Sequence, residues 1–172
     1  MATVPALISI HDYLHTSYKP DVDFIDGELR TRNLGEYEHG KIQGWILQIF
    51  NLHAKEWATD AVVEQHIRVS AERVRICDVA VLRANTPRER VTVTPPLVCV
   101  EILSPEDRLS RAREVLSDYL RMGAPNIWLI DPVYRSAWTF DAAGLHEADP
   151  AHLTVQNTPI VVDLTEAFAS LD

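Results

Sequence analysis

Residues 96–104 read Pro-Leu-Val-Cys-Val-Glu-Ile-Leu-Ser, an apolar run interrupted by one carboxylate, Glu101. A short β-branched run closed by prolines predicts a strand buried on both faces. A charge in such a place is costly unless a partner or a cation meets it, so Glu101 is a site candidate. The same argument applies to Asp78, which interrupts Val-Arg-Ile-Cys-Asp-Val-Ala-Val-Leu at 74–82. Strands covered on both faces need a sheet with helices packed against it. Lone carboxylates in two such strands suggest a hard-cation site, and oxygen ligands of this kind suit Mg²⁺ or Mn²⁺.

The pattern along the chain extends this frame. A short helix is predicted over 8–15, with Ser9 as N-cap, and a hairpin over 22–32 around Asp26-Gly27. A long helix follows over 36–57, where Ile42, Trp45, Ile46, Ile49 and Phe50 recur at helical spacing. Glu38 and His39 open the inward face of that helix and join the candidate site. Strands are predicted at 61–69, 74–83 and 96–103, with a proline-bounded loop at 84–95. A helix then spans 108–122, ended by Gly123 and Pro125. Strands at 126–131, 134–140 and 158–163 and a helix at 164–171 complete the chain. The result is an α/β fold, a mixed β-sheet flanked by helices, in one domain over 1–172.

Alternation puts Asp78 on one strand face with Ile76 and Ala80, and Glu101 on one face with Leu97, Cys99 and Leu103. If these strands are neighbours, the two carboxylates meet at one end of the sheet, within reach of Glu38 or His39. Glu28, in the hairpin, reads as structural or as a rim residue. Arg108, Arg111, Arg113 and Arg121 give the helix over 108–122 a basic character, either a solvated face or a phosphate contact.

Composition narrows the partners. A net charge of −9 argues against indiscriminate nucleic-acid binding but leaves room for a local basic face. Cys77 and Cys99 fall inside buried strands and read as small core residues in a reducing cytoplasm. No run approaches the roughly 18 apolar residues of a membrane span, and residues 1–10 lack the basic start of a signal peptide.

Several of these segments share a pattern. They are Ile25-Asp26-Gly27-Glu28-Leu29, Glu38-His39-Gly40, Asp78-Val79-Ala80-Val81, Val100-Glu101-Ile102-Leu103-Ser104-Pro105, Asp118-Tyr119-Leu120 and Trp128-Leu129-Ile130-Asp131-Pro132. Together they resemble the bacterial Uma-two family of endonucleases within the PD-(D/E)XK, or restriction-endonuclease-like, superfamily. The match covers about residues 8–140, and the Glu-Ile-Leu-Ser-Pro and Trp-Leu-Ile-Asp-Pro pair is its most specific part. The resemblance implies a restriction-endonuclease-like core of order αβββαβ. It implies Asp78 and Glu101 as metal ligands and as catalytic residues with Glu38 and His39. It further implies Mg²⁺ or Mn²⁺ as cofactor, DNA as substrate, and a second copy of the chain as a partner.

The chain departs from the family pattern at two places. Cys77 stands where the family carries proline, which bears no chemistry. The family lysine aligns with Val115, and the only lysines in the chain are Lys19, Lys41 and Lys55. Valine neither transfers a proton nor offsets charge on a phosphorane. Arg111 or Arg113 could supply charge but not act as a base. Two functions are therefore expected to compete: a metal-dependent DNA endonuclease, and a non-catalytic binding or assembly module built on the nuclease fold.

Overall fold

The computed structural model describes residues 7–33 and 35–172. The signal-peptide expectation rests partly on residues 1–6, which lie outside them. The first half contains α1 (Ile10–His15), β1 (Val22–Ile25), β2 (Glu28–Thr31), α2 (Tyr37–Leu52), α3 (Ala54–Trp57), β3 (Thr59–Ser70) and β4 (Arg73–Arg83). The second half contains β5 (Val98–Ile102), α4 (Leu109–Met122), β6 (Asn126–Asp131), β7 (Ser136–Asp141), β8 (Gly144–Ala148), β9 (Leu153–Thr154), β10 (Val161–Val162) and α5 (Thr165–Ala169).

Local chemistry explains most of the boundaries. Ser9 caps α1 by accepting from the Asp12 N–H, as expected. The β1–β2 turn has both Asp26 (φ 51°) and Gly27 (φ 90°) in the left-handed region, which a two-residue hairpin turn demands. Helix α4 ends at Gly123 (φ 97°), where the Ala124 N–H returns to the Tyr119 carbonyl.

The predicted helix over 36–57 is two helices, broken at His53. The expected last strand contracts to β10, which pairs with β9 as a separate ribbon, and β8 was not anticipated. Short strands with mixed burial carry little alternation, so their sequence does not announce them.

The main sheet runs β2-β1-β4-β5-β6-β7-β8, with β3 paired to β4. Among these strands only β5 and β6 pair in parallel, so the sheet is mixed, as expected. From α2 to β6 the order is helix, three strands, helix, strand, apart from the single turn of α3. Helices α2 and α5 cover one face, packing on Val79, Val81, Val98, Val100, Ile102 and Trp128. Helix α4 covers the other with Val115, Leu116 and Tyr119, against Ala80, Cys99 and Leu129. Trp128 is 1% exposed and belongs to the core.

Charge also fixes α4 in place. Arg75 on β4 is 1% exposed and bonds Asp118 Oδ2 (2.7 Å), Asp23 Oδ2 (3.1 Å) and Glu114 Oε1 (3.1 Å). Three carboxylates satisfy one buried guanidinium, so β1, β4 and α4 are held at one point.

Candidate active site at a fork in the sheet

A strand has two edges, and β4 shares one of them. β3 takes the first edge along nearly the whole strand. The second pairs with β1 at Arg73 and Val74, then with β5 from Val79 to Val81. Between these stretches β1 and β5 diverge, and main-chain donors lose their strand partners. Side chains replace them: Asp23 Oδ1 accepts from the Ile76 N–H (3.1 Å), and Asp78 Oδ2 accepts from the Ile102 N–H (2.7 Å).

The fork is where the two expected carboxylates meet. One step beyond the Val79↔Val100 pair, the register sets Asp78 opposite Glu101. Both line a cleft with Arg32, Ser104, Arg111 and Val115. The cleft offers about 60 Å³ to water-sized groups, enough for a few waters around an ion. Asp78 is 2% exposed, while Glu101 opens partly onto the cleft.

Burial, and then the charge of Asp78, push the Glu101 carboxyl well above the usual carboxylate range. Its Oε1 accepts from the Tyr119 hydroxyl (2.6 Å), which stabilises the charged form but does not offset those effects.

Helix α2 brings His39 and Gln43, one turn apart. His39 Nε2 is 3.3 Å from Asp78 Oδ2. Burial opposes protonation of His39, but the contact with Asp78 and the charges of Asp78 and Glu64 outweigh it and raise its pKa. Gln43 donates to the Asp78 carbonyl (2.9 Å) and to Glu64 Oε1 (2.7 Å). Glu38 is one residue from His39, about 100° around the helix. It is not among the residues that line the cleft. Glu28 stays on the hairpin with Arg30, and Arg113 points to solvent. Arg111 lines the cleft and donates to the Thr31 carbonyl.

Arg32 and Glu64 have no counterpart among the expected site residues. Arg32, just past β2, places Nη2 2.5 Å from Asp78 Oδ1 and donates through Nη1 to Glu64. Burial works against its charge, but Asp78, Glu101 and Glu64 raise its pKa further. Glu64 lies within β3 at φ 51°, while the pairs Val63↔Val79 and Gln65↔Cys77 keep register on either side of it. A non-glycine residue held there costs about 1–2 kcal/mol. Such outliers persist where surrounding contacts over-determine them. The available signal is faint: one charge inside the expected strand at 61–69, beside the polar Gln65 and His66.

The donor set fits a hard cation. Two opposed carboxylates supply oxygens, and the cleft has room for waters to complete the shell. Among the described residues, no group of three or more His, Cys, Asp or Glu gathers around one point, so the waters and main chain would contribute the rest.

The sequence model of the Uma2 family, described as "Putative restriction endonuclease", matches residues 10–171. The chain belongs to that family. The Uma2 assignment agrees with the resemblance drawn from the motifs and extends it through β8 to β10 and α5. The fold matches the crystal structure of "a putative nuclease belonging to DUF820" from Anabaena variabilis ATCC 29413 with a TM-score of 0.82. The two chains are 19% identical, and the match covers 96% of this chain and 99% of that one. No curated protein matches. The family description is that of a nuclease, and the structural likeness shows the fold. No helix among the described residues is long and apolar enough to cross a membrane.

Proposed function

We propose that this Uma2 protein is a metal-dependent endonuclease that hydrolyses DNA phosphodiester bonds. The observation carrying this reading is the opposition of Asp78 and Glu101 at the fork, where the strands part and open a cleft. Asp78 and Glu101 would hold Mg²⁺ or Mn²⁺. The cation, when bound, supplies Lewis-acid polarisation of the phosphate and lowers the pKa of bound water. The chain's own groups do the remaining work. His39 and the Ile102 N–H hold Asp78 in one orientation, and Tyr119 does the same for Glu101. Arg111 adds positive charge to the cleft wall.

The test is nicking of supercoiled plasmid in Mg²⁺ and in Mn²⁺, with EDTA and Asp78→Ala as controls. Nicking that needs the metal and Asp78 supports the reading; equal nicking by Asp78→Ala refutes it.

One observation favours a second reading, a non-catalytic nuclease-fold module. Val115 lines the cleft at the position aligned with the family lysine and is 8% exposed. A folded protein that binds DNA or metal but nicks with neither ion would support that reading.

A further inference from the structure

The cleft lacks a lysine at Val115, yet it carries a cation from the other direction. Arg32 enters from the hairpin side, past the end of β2, and touches Asp78 Oδ1. Its side chain is 21% exposed, so it is anchored yet open to the cleft. Glu64 grips one guanidinium nitrogen and Gln43 grips Glu64, leaving the other nitrogen toward Asp78. The residue that does the gripping is the one β3 holds in the left-handed region. Glu64 thus serves one guanidinium in two ways, through a three-residue chain of hydrogen bonds and through its own left-handed backbone.

Building on the endonuclease reading, we propose that Arg32 is a catalytic residue that receives the scissile phosphate of DNA, in place of the family lysine. Glu64 is its positioning residue. In the hydrolysis, water oxygen forms a bond to phosphorus and the bond from phosphorus to the leaving sugar oxygen breaks. The attacking water releases a proton to solvent, and the leaving oxygen takes one up, so the net reaction adds one water. Arg32 neither gives nor takes a proton. It donates hydrogen bonds to the non-bridging oxygens as their negative charge grows. A guanidinium suits this task because it carries five N–H donors, so hydrogens not taken by Glu64 and Asp78 remain for phosphate oxygens.

The experiment compares wild type, Arg32→Ala, Arg32→Gln, Glu64→Gln, and Arg32→Ala combined with Val115→Lys. Each is assayed for plasmid nicking in Mg²⁺ and Mn²⁺, for Mn²⁺ binding by calorimetry, and for binding of a fluorescein-labelled short DNA duplex in Ca²⁺. Arg32→Ala should lower the nicking rate about 10²-fold. It should weaken duplex binding and still take up Mn²⁺. Adding Val115→Lys should recover part of the lost rate, because it returns a charge to the cleft from α4. Glu64→Gln keeps a hydrogen-bonding group but not the charge, and should lower kcat with little change in KM.

Arg32→Gln keeps a polar group in the cleft but shortens the side chain and removes the charge, so it decides the matter should Arg32→Ala fail to fold. Nicking by a folded Arg32→Ala or Arg32→Gln protein at the wild-type rate overturns the proposal while the endonuclease reading stands. If wild type nicks with neither metal, the endonuclease reading fails. Duplex binding then judges Arg32: loss in Arg32→Gln keeps it as the phosphate contact, and unchanged binding removes it.

Discussion

Replacing Glu101 by glutamine should stabilise the metal-free protein by an amount that grows with pH. The Glu101 carboxyl is held above its ordinary range by burial and by Asp78. Between the unfolded pKa and that raised value, the native state binds a proton that the unfolded chain has released. Wild-type stability therefore falls as pH rises across this window. Glutamine has the same shape, can keep accepting from Tyr119, and has no proton to lose. The slope is at most ~1.4 kcal/mol per pH unit, so pH 5 to pH 7 contributes at most ~2.7 kcal/mol. For a chain of this size that corresponds to roughly 5–11 °C in Tm, reduced by whatever screening water in the cleft provides. The assay is thermal melting of both proteins in EDTA from pH 5 to pH 8, followed by circular dichroism. The difference in Tm should widen steadily with pH. A constant difference, or a variant that melts lower throughout, refutes the argument that Glu101 holds its proton.

His39 should add a pH dependence of the same direction. Its raised pKa means that its stabilising contact is complete below the ordinary histidine value and fades as pH passes the raised one, so His39→Gln should cost about 1–2 kcal/mol at pH 5.5 and much less at pH 8.5. Urea denaturation at the two pH values checks this, and equal costs would contradict it. Mn²⁺ titration should release heat with wild type and none with the Asp78→Ala, Glu101→Ala double variant; unchanged heats would move the metal elsewhere. Removing the buried Arg75 as Arg75→Ala leaves three carboxylates facing one another and should cost about 3–5 kcal/mol in urea denaturation, while a loss below about 1 kcal/mol would show that the cluster does not hold α4.

Much of the frame was legible without coordinates. The Asp26-Gly27 hairpin, the buried strands through Asp78 and Glu101, and the glycine-ended α4 each carry a local signature within a few residues. Asp78 and Glu101 were visible because a charge in an apolar run is anomalous wherever the run ends up. Glu38 and His39 could not be separated this way, since both lie at the start of one face and only packing decides which turns inward.

What only the tertiary structure decided is pairing across distance. The fork exists because β1 and β5 divide one edge of β4, and no local pattern says which strands share an edge. Arg32 reaches Asp78 across 46 positions of sequence, and Arg75 reaches Asp118 across 43. Glu64 acquires its role only when β3 pairs with β4 and presents it to Arg32 and Gln43. Periodicity reports which face of an element is buried, because burial repeats with the pitch of the backbone. It does not report partners, because a charge on one strand is compatible with any opposite charge until strand order brings one of them within hydrogen-bonding distance.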